Sequence, residues 1–147
     1  MANVNEKHPA KPEGIGWLTP YLAVRDVEGA MDFYAKAFGF EKSQTMPGPD
    51  GKLMHGAMKY KGMDIIMMGP EDETCKAPIT SKTSCSINLY VYCDDVDQAF
   101  GVAKKGGAKV ISEPEDMFWG DRIAQFADMD GYRWTFATHV REMVQQK

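Results

Sequence analysis

Cysteine and histidine are scarce. The three cysteines, Cys75, Cys85 and Cys93, are odd in number and form no Cys-x-x-Cys pair. That excludes a disulfide framework and a zinc ribbon, and it fits a reducing, cytoplasmic setting. Long apolar runs are missing as well, since nowhere do the roughly 18 apolar residues of a membrane span follow one another. Residues 1–14 (MANVNEKHPAKPEG) are polar and lack the apolar stretch of a signal peptide, so the chain is expected to be neither exported nor membrane-inserted. No Lys/Arg run forms a stripe, and 17 basic against 21 acidic residues leave a formal charge of −4. Nucleic acid is thereby excluded as a partner. A Gly-x-Ser-x-Gly elbow, a phosphate-cradling glycine loop and a Cys/His signature are all absent, so no catalytic residue can be named from motifs.

What is present is a repeat. The run Tyr21-Leu22-Ala23-Val24-Arg25-Asp26-Val27, with Ala30 and Phe38-Gly39 after it, parallels Asn88-Leu89-Tyr90-Val91, Asp95-Val96, Ala99 and Gly106-Gly107. Each half reads as a strand, an Asp at a helix start, an amphipathic helix stopped by Gly, and further strands. At 147 residues, 44% hydrophobic and 26% charged, the chain suits one domain with a single core.

The first module runs from about 16 to 69. The pattern predicts a strand Trp17–Arg25, a helix Val27–Phe38 capped by Asp26 and ended by Gly39, a strand from Phe40 to about Thr45, and a hairpin of Leu53–Tyr60 with Met63–Met68 around Lys61-Gly62. Residues 70–84 are polar, contain two prolines and read as a connection that can flank a pocket. The second module, about 85 to 140, predicts strand Cys85–Tyr92, helix Val96–Lys105 capped by Asp95, strand Lys109–Ile111, a loop Glu113–Gly120, strand Arg122–Ala127, a turn at Asp128–Gly131 and strand Arg133–His139. Hairpin-length connections exclude a doubly wound parallel sheet.

Strand alternation sorts the side chains into two faces. Leu18, Leu22, Val24, Ile87, Leu89, Val91, Trp134 and Phe136 form a packing face. Trp17, Thr19, Tyr21, Ser86, Asn88, Tyr90, Arg133 and Thr135 fall on the other, where rings mixed with hydroxyls, an amide and a cation have the composition of a ligand surface. The loop Phe118-Trp119-Gly120-Asp121-Arg122 adds two candidates. Trp119 can stack on a flat ligand or plug the site from within, and Arg122 can grip an anionic oxygen or pair with Asp121, Asp128 or Asp130. Asp128-x-Asp130-Gly131 starts like a calcium loop but lacks the later ligands, so a hairpin turn explains it.

The segments YLAVRDVEGAMDFYAKAFGFE, PDGKLMHGAMKYKGMDIIMM, LYVYCDDVDQAFGVAKKGGAKV and FWGDRIAQFADMDGYRWTFATH resemble the vicinal oxygen chelate superfamily, which contains glyoxalases, bleomycin-resistance proteins and extradiol dioxygenases, and most closely its PhnB-like branch. The resemblance spans Trp17 to His139. It implies an α+β fold in which two tandem βαβββ modules form an eight-stranded curved half-barrel with the helices outside, and it implies a homodimer.

In metal-dependent members, strands of each module send His, Gln or Glu inward to one divalent ion. The corresponding positions here are Thr19, Met67, Ser86 and Thr135, a poor donor set for a transition ion. No metal site and no cofactor are expected. A divalent metal would have to sit elsewhere, on His55 or His139 with Asp64 or Glu113. Two functions follow from the resemblance. One is a metal-free protein, like those of bleomycin resistance, that binds a small aromatic or polyoxygenated molecule. The other is a metal-dependent lyase, isomerase or dioxygenase with a relocated metal. The residues favour the first.

Overall fold

The computed structural model describes residues 8–142. The first module contains β1 (Tyr21–Val24), α1 (Val27–Phe38), β2 (Glu41–Pro47), β3 (Leu53–Tyr60) and β4 (Met63–Pro70); the second contains β5 (Asn88–Tyr92), α3 (Val96–Lys105), β6 (Lys109–Asp116), β7 (Asp121–Ala127) and β8 (Arg133–His139). The connection between them holds one extra turn of helix, α2 (Pro78–Ser81), started by a proline whose fixed φ suits that position. The α+β class and the two tandem βαβββ modules are as expected. The eight strands come as two open four-stranded sheets, ordered β1-β4-β3-β2 and β5-β8-β7-β6. Only β1 with β4 and β5 with β8 run parallel.

Both long helices occupy their expected spans for the expected reason. Val27, Ala30, Met31, Tyr34, Ala37 and Phe38 recur at helical spacing and are buried. Gly39 ends α1 at φ 70, and its N–H bonds the Tyr34 carbonyl. Asp95 caps α3 by accepting from the Asp97 and Gln98 N–H groups. Asp26 stands at the N-cap of α1 in extended conformation, but its side chain makes no capping bond, so that expectation is corrected. Lys61 and Gly62, at φ 51 and 83, form the two-residue β3–β4 turn, whose left-handed pair matches the twist of the strands.

Strand boundaries differ most at β1, β5, β6 and β7. β1 begins at Tyr21 and β5 at Asn88, so Trp17, Leu18 and Ile87 lie outside the ladders and are 82, 90 and 65% exposed; the packing role predicted for Leu18 and Ile87 is corrected. β6 continues to Asp116 through two register shifts, pairing Glu115 with Ile123 and Asp116 with Arg122, where a loop was expected. β7 starts at Asp121, one residue early.

One core serves both modules. The ring of Phe38 lies 4.8 Å from Phe136, 5.3 Å from Trp134, 5.4 Å from Phe33, 5.6 Å from Phe40, 5.8 Å from Tyr34 and 6.1 Å from Phe126, centroid to centroid. The helices meet where Gly106 follows α3, since a Cβ there would sit 2.6 Å from the Ala37 Cα. The β7–β8 turn ties the modules together. Asp128 accepts from Tyr34 Oη at 2.6 Å and Trp134 Nε1 at 2.9 Å, and Asp130 accepts from Arg25 Nε at 3.0 Å. Among the described residues, no helix is long and apolar enough to cross a membrane.

Candidate functional site

Each sheet packs one face on the helices and leaves the other open. On the second sheet, register sets out the open face in rows. The row Asn88, Arg133, Ala127, Lys109 is followed by Tyr90, Thr135, Gln125, then by Tyr92, Ala137, Ile123, and last by His139 with Asp121. The expected alternation of β5 holds, with Asn88, Tyr90 and Tyr92 exposed and Leu89 and Val91 half-buried.

The last rows converge on Asp121, a carboxylate only 2% exposed. Its Oδ2 accepts from Tyr90 Oη at 2.5 Å and Tyr92 Oη at 2.8 Å, while its Oδ1 faces His139 Nδ1 at 2.9 Å. Trp119 Nε1 donates to the Tyr90 hydroxyl at 3.2 Å. Burial alone would raise the Asp121 carboxyl, but hydrogen bonds from Tyr90, His139 and Tyr92 outweigh it and hold the group below its ordinary range. Burial and the bond to Asp121 push the Tyr90 phenol up to about 12. The Asp121 bond, reinforced by Glu142 at 3.3 Å from Nε2, keeps the His139 imidazolium to higher pH than an ordinary histidine. The cluster is a buried carboxylate ringed by two phenol donors and an imidazole, topped by an indole.

In the middle row, Thr135 donates to Asn88 Oδ1 at 2.8 Å and accepts from Gln125 Nε2 at 3.2 Å. Thr135 is buried and saturated, leaving the Asn88 amide as the outward polar group. On the first sheet, Tyr21 Oη lies 3.1 Å from His55 Nδ1, and Met67 is the register partner of Tyr21. Tyr21 and Ser86 line one groove of about 620 Å³ with Leu18, Leu22, Ile87 and Leu89. Thr19 is half-buried just before β1, and the exposed Trp17 ring is met by Lys11 Nζ at 5.3 Å.

Arg122 is not part of this surface. It shares its face with the buried Ala124 and Phe126, and it reaches Asp97 on α3 through Nε and NH2 at 2.9 and 3.0 Å and Asp116 at 3.0 Å. Both roles predicted for it are corrected, because a strand starting at Asp121 turns Arg122 toward the helix. Tyr92 and His139 fall on the cup-facing side that strand alternation predicts, whereas the ligand-surface roles of Asp121 and Gln125 were missed though discoverable. The apolar Ala124 and Phe126 reveal the parity of β7 and so place Asp121 and Gln125 opposite them.

A divalent ion fits these residues poorly. Thr19, Met67, Ser86 and Thr135 offer no imidazole or carboxylate, and Thr135 is already engaged on both sides. Among the described residues, no three His, Cys, Asp or Glu side chains are grouped to hold an ion. His139 faces carboxylates through both ring nitrogens and His55 faces Tyr21 through Nδ1; among the described residues no hydrogen bond joins either histidine to Asp64 or Glu113.

Known proteins share this architecture. The family model described as Glyoxalase/Bleomycin resistance protein/Dioxygenase superfamily matches residues 14–136. An uncharacterized protein of Mycobacterium bovis is 36% identical over 129 residues, covering 86% of this chain and 85% of its own length. Among solved structures, TioX from Micromonospora sp. ML1 superposes with a TM-score of 0.66 at 25% identity, over 84% of this chain and 98% of that one. TnmS3 from Streptomyces sp. CB03234, described as an antibiotic binding protein, superposes with a TM-score of 0.61 at 26% identity, over 90% and 99%.

Proposed function

Because the chain belongs to the glyoxalase/bleomycin resistance protein/dioxygenase superfamily, we propose that it is a metal-free binding protein for a small aromatic or polyoxygenated molecule held on the open faces of its sheets. The observation that carries this reading is the Tyr90, Tyr92, Trp119, Asp121 and His139 cluster, which lays rings and hydroxyls on the open face, while Thr19, Met67, Ser86 and Thr135 offer no imidazole or carboxylate to an ion. Similarity to TnmS3, an antibiotic binding protein, supports the same direction. The Phe118-Trp119-Gly120-Asp121-Arg122 string points to the PhnB-like branch.

The assembly we propose is a homodimer. Trp17, Leu18 and Phe118 are 82, 90 and 79% exposed, large apolar side chains that a second copy could cover. A second copy covering the open faces would turn two shallow half-sites into enclosed ones.

The test is titration of the untagged chain with bleomycin and a panel of planar polyphenols, followed by tryptophan fluorescence. At least one member is expected to bind, and Tyr21→Ala and Trp119→Ala are each expected to weaken it about tenfold, the loss of one ring contact of about 1.4 kcal/mol. Arg122→Ala should change nothing. The same preparation is expected to sediment as a dimer. Failure of every member to bind, or unchanged affinity in both ring variants, overturns the proposed surface. A monomer mass overturns the dimer. Stoichiometric transition metal in elemental analysis would favour the metal-dependent lyase, isomerase or dioxygenase instead.

A further inference from the structure

The opposite end of the second sheet's open face is cationic. Arg133 and Lys109 flank the small Ala127 in one row across β8, β7 and β6. With Lys82, Thr83 and Ser84 they line a groove of about 650 Å³. The one acidic side chain lining that groove is Asp128, and it is saturated by Tyr34, Trp134 and the Asp130 and Tyr132 N–H groups. Asp130, next along the turn, is engaged by Arg25.

Among the described residues, the side chains of Lys82, Lys109 and Arg133 form no ion pair or hydrogen bond. Arg133 goes further, because its Nε is buried without a partner. A buried guanidinium N–H left unpaired is costly, and its fork is shaped for a planar or tetrahedral oxyanion. In a chain of net charge −4, these two cations, one strand apart on the same face, have no counter-charge of their own.

We propose that Arg133 and Lys109 form an oxyanion site, and that the molecule bound on this face carries a carboxylate or phosphate group. The ring-binding part of the face begins with Tyr90, two residues beyond Asn88 in Arg133's row, or about 7 Å at roughly 3.3 Å per residue. The ligand class is therefore an aromatic acid whose ring and anionic group are separated by a short spacer. The inference rests on the aromatic-surface reading for the ring, but not for the acid.

The experiment compares 3-phenylpropionate, 2-phenylethyl phosphate and the neutral 3-phenylpropionamide by calorimetric titration of the full chain. At least one acid is expected to bind about tenfold tighter than the amide, and the preference should shrink as salt is raised. Arg133→Gln and Lys109→Gln should each remove it, while Arg122→Gln keeps it. Lys109 is exposed, so its variant remains informative if Arg133→Gln does not fold.

Equal binding of acids and amide, or a preference that survives Lys109→Gln and any folded Arg133→Gln, overturns the oxyanion site. If the preference depends on Arg133 and Lys109 while Tyr21→Ala and Trp119→Ala leave affinity unchanged, the oxyanion site stands and the aromatic reading falls. If acid and amide bind alike and both depend on Trp119, the reverse holds.

Discussion

Asp128→Ala is expected to destabilise the protein by about 3 to 5 kcal/mol, because it leaves two buried donors unpaired at once. The carboxylate is 6% exposed. Tyr34 Oη and Trp134 Nε1 both end on its Oδ2, while the Asp130 and Tyr132 N–H groups, at 2.9 and 3.0 Å, end on Oδ1. Alanine offers none of these acceptors, and Tyr34 and Trp134, each 1% exposed, have no water to turn to. Burial raises the carboxyl of Asp128 above its ordinary range, and the four donors oppose that shift. Urea unfolding followed by tryptophan fluorescence reads the loss directly. Tyr34→Phe, which removes one donor and keeps the acceptor, should cost about 1 kcal/mol. An Asp128→Ala variant within about 1 kcal/mol of the parent would show that the turn is not what joins the modules.

The second large effect belongs to Phe38. Truncation to alanine is expected to cost about 3 to 5 kcal/mol, the range for emptying an aromatic site in a close-packed core. Its ring meets Tyr34, Phe33 and Phe40 from its own module and Phe126, Trp134 and Phe136 from the other. The surrounding β-sheets are held by their ladders and can collapse only partly into the void. Phe38→Leu, which refills most of the volume, should recover more than half of the loss. Chemical denaturation of both variants checks this, and a cost below about 2 kcal/mol for the alanine would mean that the core closes over the gap.

Much of this architecture was legible in advance, for reasons that can be named. Apolar spacing in Val27–Phe38 and Val96–Lys105 survives any tertiary context because each helix needs one buried stripe. The turns at Lys61-Gly62 and Asp128–Gly131 are written in residues that tolerate or anchor tight backbone. The site was harder. Arg122 was chosen as a loop residue, whereas β7 starts at Asp121 and the buried Ala124 and Phe126 put Arg122 on the helix-facing side and Asp121 on the open one. Asp121 gains its partners from β5 and β8, and Tyr34 meets Asp128 across 94 positions, distances over which local pattern carries no information. Trp17 and Thr19 were assigned by extending β1 backwards past Pro20, whose missing N–H marks where that ladder starts.

Each sheet has two borders: β1 and β5, of only four and five residues, form one, while β2 and β6 form the other, pair through register shifts and carry Pro47 and Pro114 together with Glu41, Lys42, Glu113 and Glu115. Kinked, charged and short of amide donors, such borders are poor templates for a foreign strand. Short at one border and kinked or charged at the other, the two unclosed sheets leave a foreign strand little continuous backbone to extend.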